Sequence, residues 1–287
     1  MDRLLNGLAY LAAIVGVLYA LFSYARFPEN EDARRPPVSY AEQPPDVHVP
    51  PYNVSETRRT FTIDLSPQQP STGTAFAIGG GWWLTARHVA DGCDTIGLVQ
   101  GPRKGIGAQQ IVLHPNADVA LLSVQIDPEP FALLNEDLQK GQDGFAIGYP
   151  QGSPGGVYAQ LMGLERMKQR GRYHTDELVH TWAERKRGPD SLPSLGGLSG
   201  GPMLNERGEV IGVLVAETMR RGRVYTADIT SVRGLLEQAS VFPNPYAPLF
   251  PLAADIFVGQ GDTLREDFRI AQVFCDVKQP RAGGVTD

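Results

Sequence analysis

The chain has 287 residues, of which 42% are hydrophobic, and it contains 32 glycines and 23 prolines. This composition is typical of a loop-rich, mainly β globular protein with one or two domains. The formal net charge of −6 argues against nucleic-acid binding, because phosphate contacts need a basic surface. We therefore expect no nucleic-acid partner.

The first segment of the chain is apolar. Residues 4–25 contain no charged side chain, and a helix of about 22 residues spans a hydrocarbon core of roughly 30 Å. We predict a transmembrane anchor over residues 1–26. A cleaved signal peptide is the alternative, because Ser23 and Ala25 fit the small-residue rule for cleavage. The apolar stretch exceeds the usual hydrophobic region of signal peptides, which favours the anchor.

A linker is predicted after the anchor, because residues 27–55 are rich in proline and in charged residues. Such a segment cannot form a core and should behave as an extended, semi-rigid spacer. In that position it would hold the following domain away from the membrane.

The main folded domain is predicted at residues 56–240. Short apolar runs alternate there with turns that contain glycine and proline, which is typical of an all-β barrel or sandwich. Two helices are predicted within it, at residues 89–92 and from residue 231 to about 239. The expected N-cap of the second helix is Thr230 or Asp228.

Three segments of this domain supply a histidine, an aspartate and a serine in chain order. His88 follows an apolar, aromatic run, and Asp118 precedes a buried-strand pattern. A serine hydroxyl is a poor nucleophile near neutral pH unless an imidazole takes its proton and a carboxylate orients that imidazole. We therefore predict that Ser199 is a nucleophile, His88 its general base and Asp118 the residue that orients His88.

Four glycines flank the predicted nucleophile, at positions 196, 197, 200 and 201. Glycine lets the backbone turn sharply and approach a ligand closely. The amides of Gly197 and Ser199 are therefore expected to point at one oxygen and to form an oxyanion hole.

Together these segments resemble the chymotrypsin-like (trypsin-fold) serine peptidases, and among them the bacterial HtrA/Deg branch. The resemblance extends to strand-like segments at residues 71–78, 145–150, 208–213 and 224–226. It implies two packed six-stranded β-barrels, about residues 56–140 and 141–240, with a C-terminal helix. The histidine and the aspartate would come from the first barrel and the serine from the second, so the active site would lie in the cleft between them.

The resemblance also implies an S1 pocket, which receives the side chain that precedes the scissile bond. Its expected lining is Pro193, Ser194, Leu195, Val215, Ala216, Glu217 and Tyr225. None of the first three is acidic, so a preference for Lys or Arg is not expected. Val215 and Ala216 favour a small or medium apolar residue. The alternative is that Arg223 points inward and selects an acidic residue.

Two residues depart from the pattern of that family. Arg87 directly precedes the histidine, where small residues are usual, and its cation would disfavour protonation of the imidazole unless it points to solvent. Leu198 precedes the serine, where family members carry an acidic or amide residue. Because Leu198 offers no charge to a newly cut N-terminal amine, we expect no activation by proteolysis.

The last segment, residues 241–287, is too short for the PDZ domain that many HtrA-like proteins carry, so none is expected. This tail should either pack on the barrels or contact a partner or a second copy. Cys93 and Cys275 are the only cysteines, and they either form a disulfide or remain two buried thiols. Neither has metal-ligand spacing, and His174 with His180 lacks a third ligand, so we expect no metal and no cofactor.

The function expected from these features is that of a membrane-tethered serine endopeptidase, which cleaves polypeptide substrates through an acyl-enzyme. Charges beside the apolar segment slightly favour a cytoplasmic domain, whereas the resemblance implies an extracytoplasmic, periplasmic-side domain, which we expect. One alternative is a pseudo-peptidase that binds peptides along residues 213–217 without turnover. Another is a membrane scaffold whose C-terminal tail recruits a partner, with proteolysis secondary.

Overall fold

A computed structural model describes the backbone of residues 38–39 and the residues 59–134, 136–218, 221–244 and 247–278. The predicted anchor at residues 1–26 lies outside the described residues, as does the predicted linker apart from residues 38–39. Within the described ranges, no helix has both the length and the hydrophobicity needed to cross a membrane.

The first of two β-sheets has eight described strands. They are β1 (Val38–Ser39), β3 (Ser71–Gly79), β4 (Trp82–Thr85), β5 (Thr95–Gly101), β6 (Lys104–Gly107), β7 (Gln110–Leu113), β8 (Ala120–Ser123) and β15 (Ile270–Asp276). Their order across the sheet is β1-β7-β8-β4-β3-β15-β5-β6. All neighbours are antiparallel except β1 and β7, which pair in parallel.

The second sheet contains seven described strands. They are β2 (Thr60–Leu65), β9 (Asp143–Gly148), β10 (Gly155–Gly171), β11 (Thr175–Gly188), β12 (Pro202–Leu204), β13 (Val210–Thr218) and β14 (Arg223–Ala227). The order is β11-β14-β13-β12-β9-β10-β2, and β10 also pairs with β11. This last pairing closes six of the strands, β9 to β14, into a barrel, with β2 added outside it in parallel to β10.

One hydrophobic core joins the two sheets, because apolar side chains on their facing sides are buried together. Phe76 of β3 meets the ring of Phe131 edge-on at 6.0 Å between centroids. A second cluster fills the barrel around Trp182, whose Nε1 donates a hydrogen bond to Thr226 Oγ1 at 3.0 Å. That bond satisfies the indole N–H, which would be costly to bury without a partner.

The described α-helices are α1 (Arg87–Ala90), α2 (Ile229–Gln238) and α3 (Phe257–Glu266), and a 3-10 helix covers Pro150–Gly152. The helix predicted at residues 89–92 therefore begins two residues earlier, and the one predicted from residue 231 corresponds to α2. Asp228 is the N-cap of α2, since its side chain accepts a hydrogen bond from the Thr230 amide at 2.8 Å.

The expectation of a mainly β fold is confirmed, and where two six-stranded barrels were predicted the structure has sheets of eight and seven described strands. The structure differs from the predicted barrel division in two places. β2, which was assigned to the first barrel, pairs with the second sheet. β15, from the segment treated as a tail, lies between β3 and β5 in the first sheet. Of the two roles considered for the tail, its described residues therefore show packing against the sheets.

A disulfide fastens the inserted strand. Cys275 of β15 is bonded to Cys93, which follows α1, and their Cα atoms are 5.4 Å apart. Of the two states considered for these cysteines, the structure has the cross-linked one. It ties the last strand of the first sheet to the segment that carries His88.

Candidate active site

His88 and Asp118 are brought together by the first sheet. His88 lies on α1, directly after β4, and Asp118 lies in the turn between β7 and β8. The Nδ1 atom of His88 is 2.7 Å from Oδ2 of Asp118, and the His88 amide donates to Oδ1 at 2.8 Å. Because a carboxylate only accepts hydrogen bonds, Nδ1 carries the proton and Nε2 is left as the basic nitrogen of the ring.

The carboxylate of Asp118 is completely buried, and two further side chains bind it. Gln169 Nε2 donates to Oδ2 at 2.6 Å, and the Tyr173 hydroxyl donates to Oδ1 at 3.2 Å. Burial alone would raise the pKa of Asp118, but the charge and hydrogen bonds of His88, with the bond from Gln169, hold this pKa below its usual value. Asp118 therefore faces His88 as an anion.

The residues that support Asp118 from the second sheet were not among the predicted site residues. Gln169 lies on β10, Tyr173 lies in the β10–β11 turn, and Glu177 of β11 accepts the Asp118 amide at 2.7 Å. These residues follow Asp118 by 51, 55 and 59 positions, and no motif links them to it. Only the pairing of two long strands places them there.

Ser199 lies in the glycine-rich loop of residues 196–201, called the serine loop, which directly precedes β12. Its carbonyl accepts the Thr74 amide at 2.9 Å, and the next amide, that of Gly200, donates to Leu214 O at 2.7 Å. Gly200 has a φ of +85°, and a Cβ atom there would lie 2.3 Å from Thr85 Oγ1 and 2.8 Å from the Ala86 amide nitrogen. Glycine therefore lets the serine loop contact the segment that leads into α1 and His88.

The Ser199 hydroxyl makes no hydrogen bond within the described ranges. Catalytic hydrogen bonds are often long without substrate and tighten when substrate binds, so this geometry is compatible with a nucleophile. What the fold establishes is that Gly200 of the serine loop lies against Thr85 and Ala86, the two residues directly before α1.

Two amides of the serine loop have no acceptor among the residues that the structure describes, and they belong to Gly197 and Ser199. The Gly196 carbonyl accepts from the amide of Gln151 at 2.5 Å and from its Nε2 at 3.2 Å. Because C=O and N–H point in opposite directions in a trans peptide, the Gly197 N–H is turned away from Gln151. Both amides predicted for the oxyanion hole are thus available to a ligand.

Order in this loop comes from neighbouring segments. Thr74 Oγ1 donates to Gly197 O at 2.8 Å, and Leu198 is completely buried. Leu198 therefore holds the loop by packing, where family members carry a polar residue. That the protein needs no activation by proteolysis stays a prediction from the sequence.

The structure does not bring all seven residues predicted for the S1 pocket to one described cavity, because Pro193, Ser194, Leu195 and Val215 are not among the residues that line it. Glu217 Oε1 accepts hydrogen bonds from Ser194 Oγ and from the Leu195 amide, both at 3.0 Å. Ala216, Glu217 and Tyr225 line a cavity of about 220 Å³, whose other wall includes Phe61 of β2. Arg223, considered as a selector of acidic residues, is instead paired with Glu165, 3.1 Å from Nη1 to Oε1.

The model of the trypsin-like peptidase domain family matches residues 73–213, a range that contains all three predicted catalytic residues. Residues 73–213 are a trypsin-like peptidase domain. The resemblance to chymotrypsin-like serine peptidases is thereby confirmed, and so is the predicted enzyme class at the level of the family.

Curated relatives of this peptidase domain include proteins that are described as DegP-like. A probable periplasmic serine endoprotease DegP-like from Marinomonas sp. (strain MWYL1) is 30% identical over 162 residues, which are 54% of this chain and 32% of that protein. A protein of the same description from Halomonas elongata is 31% identical over 156 residues, 52% of this chain and 30% of its own length. The matched region thus spans about a third of these relatives.

Among solved structures, the active form of the Rv3671c protease from M. tuberculosis has the same fold. Its TM-score is 0.50 at 20% sequence identity, and the match covers 68% of this chain and 96% of that one. At this identity the likeness concerns the fold alone.

The sequence left open whether Arg87 of the peptidase domain points to solvent, and in the structure it does not. The residue is only 8% exposed, and its Nη1 donates to the carbonyls of His114 and Pro115 at 2.8 and 3.0 Å. Its Nε atom is 3.1 Å from Asp91 Oδ2, and its guanidinium lies 4.0 Å from the ring of Tyr173. Arg87 therefore braces the turn that carries Asp118.

Glu177 is a second buried carboxyl group in the peptidase domain. Burial and, next, the charge of Asp118 raise its pKa well above the usual value, so Glu177 keeps its proton to a higher pH than a free glutamate does. In the pH window between the pKa of an unfolded glutamate and the raised pKa of Glu177, an unfolded chain has released a proton that the folded chain keeps. Stability therefore falls as pH rises through this window.

We expect the variant Glu177→Gln to be as stable as the wild type at pH 4 and more stable at pH 8. Glutamine keeps an oxygen for the Asp118 amide but cannot ionise. The gain in the free energy of unfolding is about 1.4 kcal/mol for each pH unit between the pKa of an unfolded glutamate and either pH 8 or the pKa of Glu177, whichever is lower. Thermal unfolding at both pH values measures it, with the exposed Glu237→Gln as control. A difference in stability between variant and wild type that is the same at pH 4 and at pH 8 would show that the pKa of Glu177 is not raised in the folded protein.

Proposed function

We propose that this protein is a serine endopeptidase in which His88, Asp118 and Ser199 act as the catalytic triad. The observation that carries the proposal is the two-point contact between His88 and the buried Asp118, at 2.7 and 2.8 Å. That contact fixes the ring tautomer in which Nε2 is free to accept a proton. The serine loop, which touches the segment directly before α1, supplies the alcohol.

In the proposed reaction, Ser199 Oγ attacks the carbonyl carbon of the scissile peptide while its proton moves to His88 Nε2. The carbonyl oxygen becomes an oxyanion that accepts hydrogen bonds from the Gly197 and Ser199 amides. Collapse of this intermediate breaks the C–N bond, and His88 gives its proton to the leaving amine. Water then attacks the acyl-enzyme, with His88 again taking a proton and returning it to Ser199.

Substrate would bind as an extended strand beside β13. β12 pairs with one edge of β13 only as far as Val213, and β14 pairs with the other edge of β13. The edge of residues 215–218 therefore offers backbone groups to a peptide, whose side chains would meet the cavity at Ala216, Glu217 and Tyr225. We retain from the sequence the preference for a small or medium apolar residue before the scissile bond.

The proposed location of the peptidase domain is outside the cytoplasm. The Marinomonas and Halomonas relatives are described as periplasmic, and the disulfide between Cys93 and Cys275 fits an oxidising compartment. Tethering by residues 1–26 remains a prediction from the sequence.

A fluorophosphonate probe tests the proposal directly, because it labels only a serine activated by its neighbours. We expect stoichiometric labelling of the wild-type protein and none of Ser199→Ala. The variant Ser66→Ala, at an exposed position, is the control and should be labelled. A wild-type protein that resists the probe while binding peptides would favour the pseudo-peptidase instead.

A further inference from the structure

The turn of the β10–β11 hairpin reaches from the second sheet to the catalytic pair of the first. Each carboxylate oxygen of Asp118 there has two donors: Nδ1 of His88 and Nε2 of Gln169 for Oδ2, and the His88 amide and the Tyr173 hydroxyl for Oδ1. A carboxylate offers about four acceptor positions. All four are filled, two by His88 and two by the hairpin.

We propose that Gln169 and Tyr173 are positioning residues, which hold Asp118 and, through it, the His88 ring in the orientation that proton transfer requires. This inference rests on the proposed function. A buried carboxylate that lost one of these donors would keep an unsatisfied lone pair and would gain freedom to rotate. The ring bound to it would then lose its alignment toward Ser199.

The orientation of the Gln169 side chain is itself determined. Its Oε1 accepts a hydrogen bond from Thr175 Oγ1 at 2.8 Å, so the group that faces Asp118 is the Nε2 donor. Gln169 is 1% exposed, and a buried amide of this kind is costly unless both of its ends are bonded. The hairpin therefore delivers a single, fixed donor to the carboxylate.

The same hairpin holds the histidine from its backbone. Arg172 Nη2 donates to His88 O at 2.8 Å, and Nη1 donates to Asp91 O at 2.9 Å. The ring of Tyr173 lies near two guanidinium groups, 4.0 Å from that of Arg87 and 5.6 Å from that of Arg172. Residues 169–173 thus contact both members of the pair.

The strand that carries Gln169 is supported on both sides. β10 pairs with β11 at Gln169–Thr175 and with β2 at Gln169–Ile63. β2 is in turn held by Phe61, whose ring is 4.6 Å from that of Tyr225. The donor to Asp118 is therefore part of a three-stranded ribbon, which gives it the rigidity that a positioning role demands.

The test compares Gln169→Leu with Tyr173→Phe in peptide hydrolysis. We expect Gln169→Leu to lower kcat about 10- to 100-fold with KM within about twofold, and Tyr173→Phe to lower it less, because its hydrogen bond is longer. Loss of the Gln169 donor also raises the pKa of Asp118, which His88, Tyr173 and Glu177 face, so activity should disappear at a higher pH on the acid side.

Two further variants make the result specific. Thr175→Val leaves Gln169 in place but frees its amide, and it should give an intermediate loss of kcat. Gln139→Leu, at an exposed position, should leave kcat and the pH profile unchanged. Circular dichroism checks folding of each variant, and should Gln169→Leu fail to fold, Tyr173→Phe and Thr175→Val carry the test.

The outcomes separate this inference from the proposed function. A wild type that the fluorophosphonate labels, with Gln169→Leu, Thr175→Val and Tyr173→Phe labelled at the same rate and with the same pH dependence, overturns the positioning role alone. A wild type that is neither labelled nor active overturns the proposed function, on which the positioning role depends.

Discussion

Replacing Ser199 or His88 by alanine is expected to lower kcat by about 10⁶-fold, which corresponds to about 8 kcal/mol of transition-state stabilisation. Asp118→Asn should cost nearer about 10⁴-fold, because the amide leaves the geometry intact but favours the wrong ring tautomer. Steady-state hydrolysis of a peptide substrate measures both effects. The double variant Ser199→Ala/His88→Ala should be no slower than either single variant, since the residues act as a unit.

Folding should survive the Ser199 substitution, since its side chain makes no hydrogen bond within the part of the chain that the structure describes. Unfolding curves of Ser199→Ala and the wild type should therefore coincide. Wild-type turnover by Ser199→Ala in a preparation free of other peptidases would show that another residue is the nucleophile.

Loss of the disulfide is expected to have the largest effect on stability. The cross-link joins residues separated by 182 positions, and the chain-entropy model gives it about 5 kcal/mol. Cys275→Ser should lower the free energy of unfolding by an amount of this order, measured by denaturant titration. Cys93→Ser and the double variant should lose no more, because each removes the same cross-link.

Reductant supplies the control for the disulfide prediction. Wild-type protein unfolded in the presence of a reductant should match Cys275→Ser, whereas the variant itself should be indifferent to it. If the reductant leaves the wild-type midpoint in place, the cross-link contributes nothing to the folded state in solution.

The catalytic candidates could be predicted from the sequence because their chemistry is local. Ser199 lies among glycines, His88 follows an aromatic strand, and a carboxylate in the right order completes the set. The oxyanion amides follow from the same glycines. Each inference needs only a few neighbouring residues and the requirements of an activated alcohol.

The support around Asp118 could not be predicted in this way. Gln169 and Tyr173 resemble ordinary residues of a polar, basic stretch, and their role depends on how far a hairpin extends from the other sheet. Arg87 shows the same limit, because its side chain is buried by a tyrosine that lies 86 positions along the chain. Contacts between residues of different sheets leave no pattern in the sequence around either residue.

The positions of β15 and β2 could not be predicted from the sequence for a related physical reason. The segment Ile270–Asp276 alternates too briefly to indicate a strand, and its partners β3 and β5 lie about 200 and 175 residues earlier. β2 lies between β1 and β3 of the first sheet in the chain yet pairs with the second sheet. Their order along the chain favoured placing β2 in the first barrel and residues 270–276 in a tail. Pairing with strands far away in the sequence places both elsewhere.

The position of β15 has a consequence for biosynthesis. His88 and Asp118 leave the ribosome early, but the sheet that carries them has a gap between β3 and β5 until residues 270–276 arrive. A nascent chain that ends before this strand would contain every proposed catalytic residue and two unpaired strand edges, which favour aggregation. Peptidase activity should therefore appear only after translation has passed residue 276, so that the growing polypeptide is not exposed to its own active site.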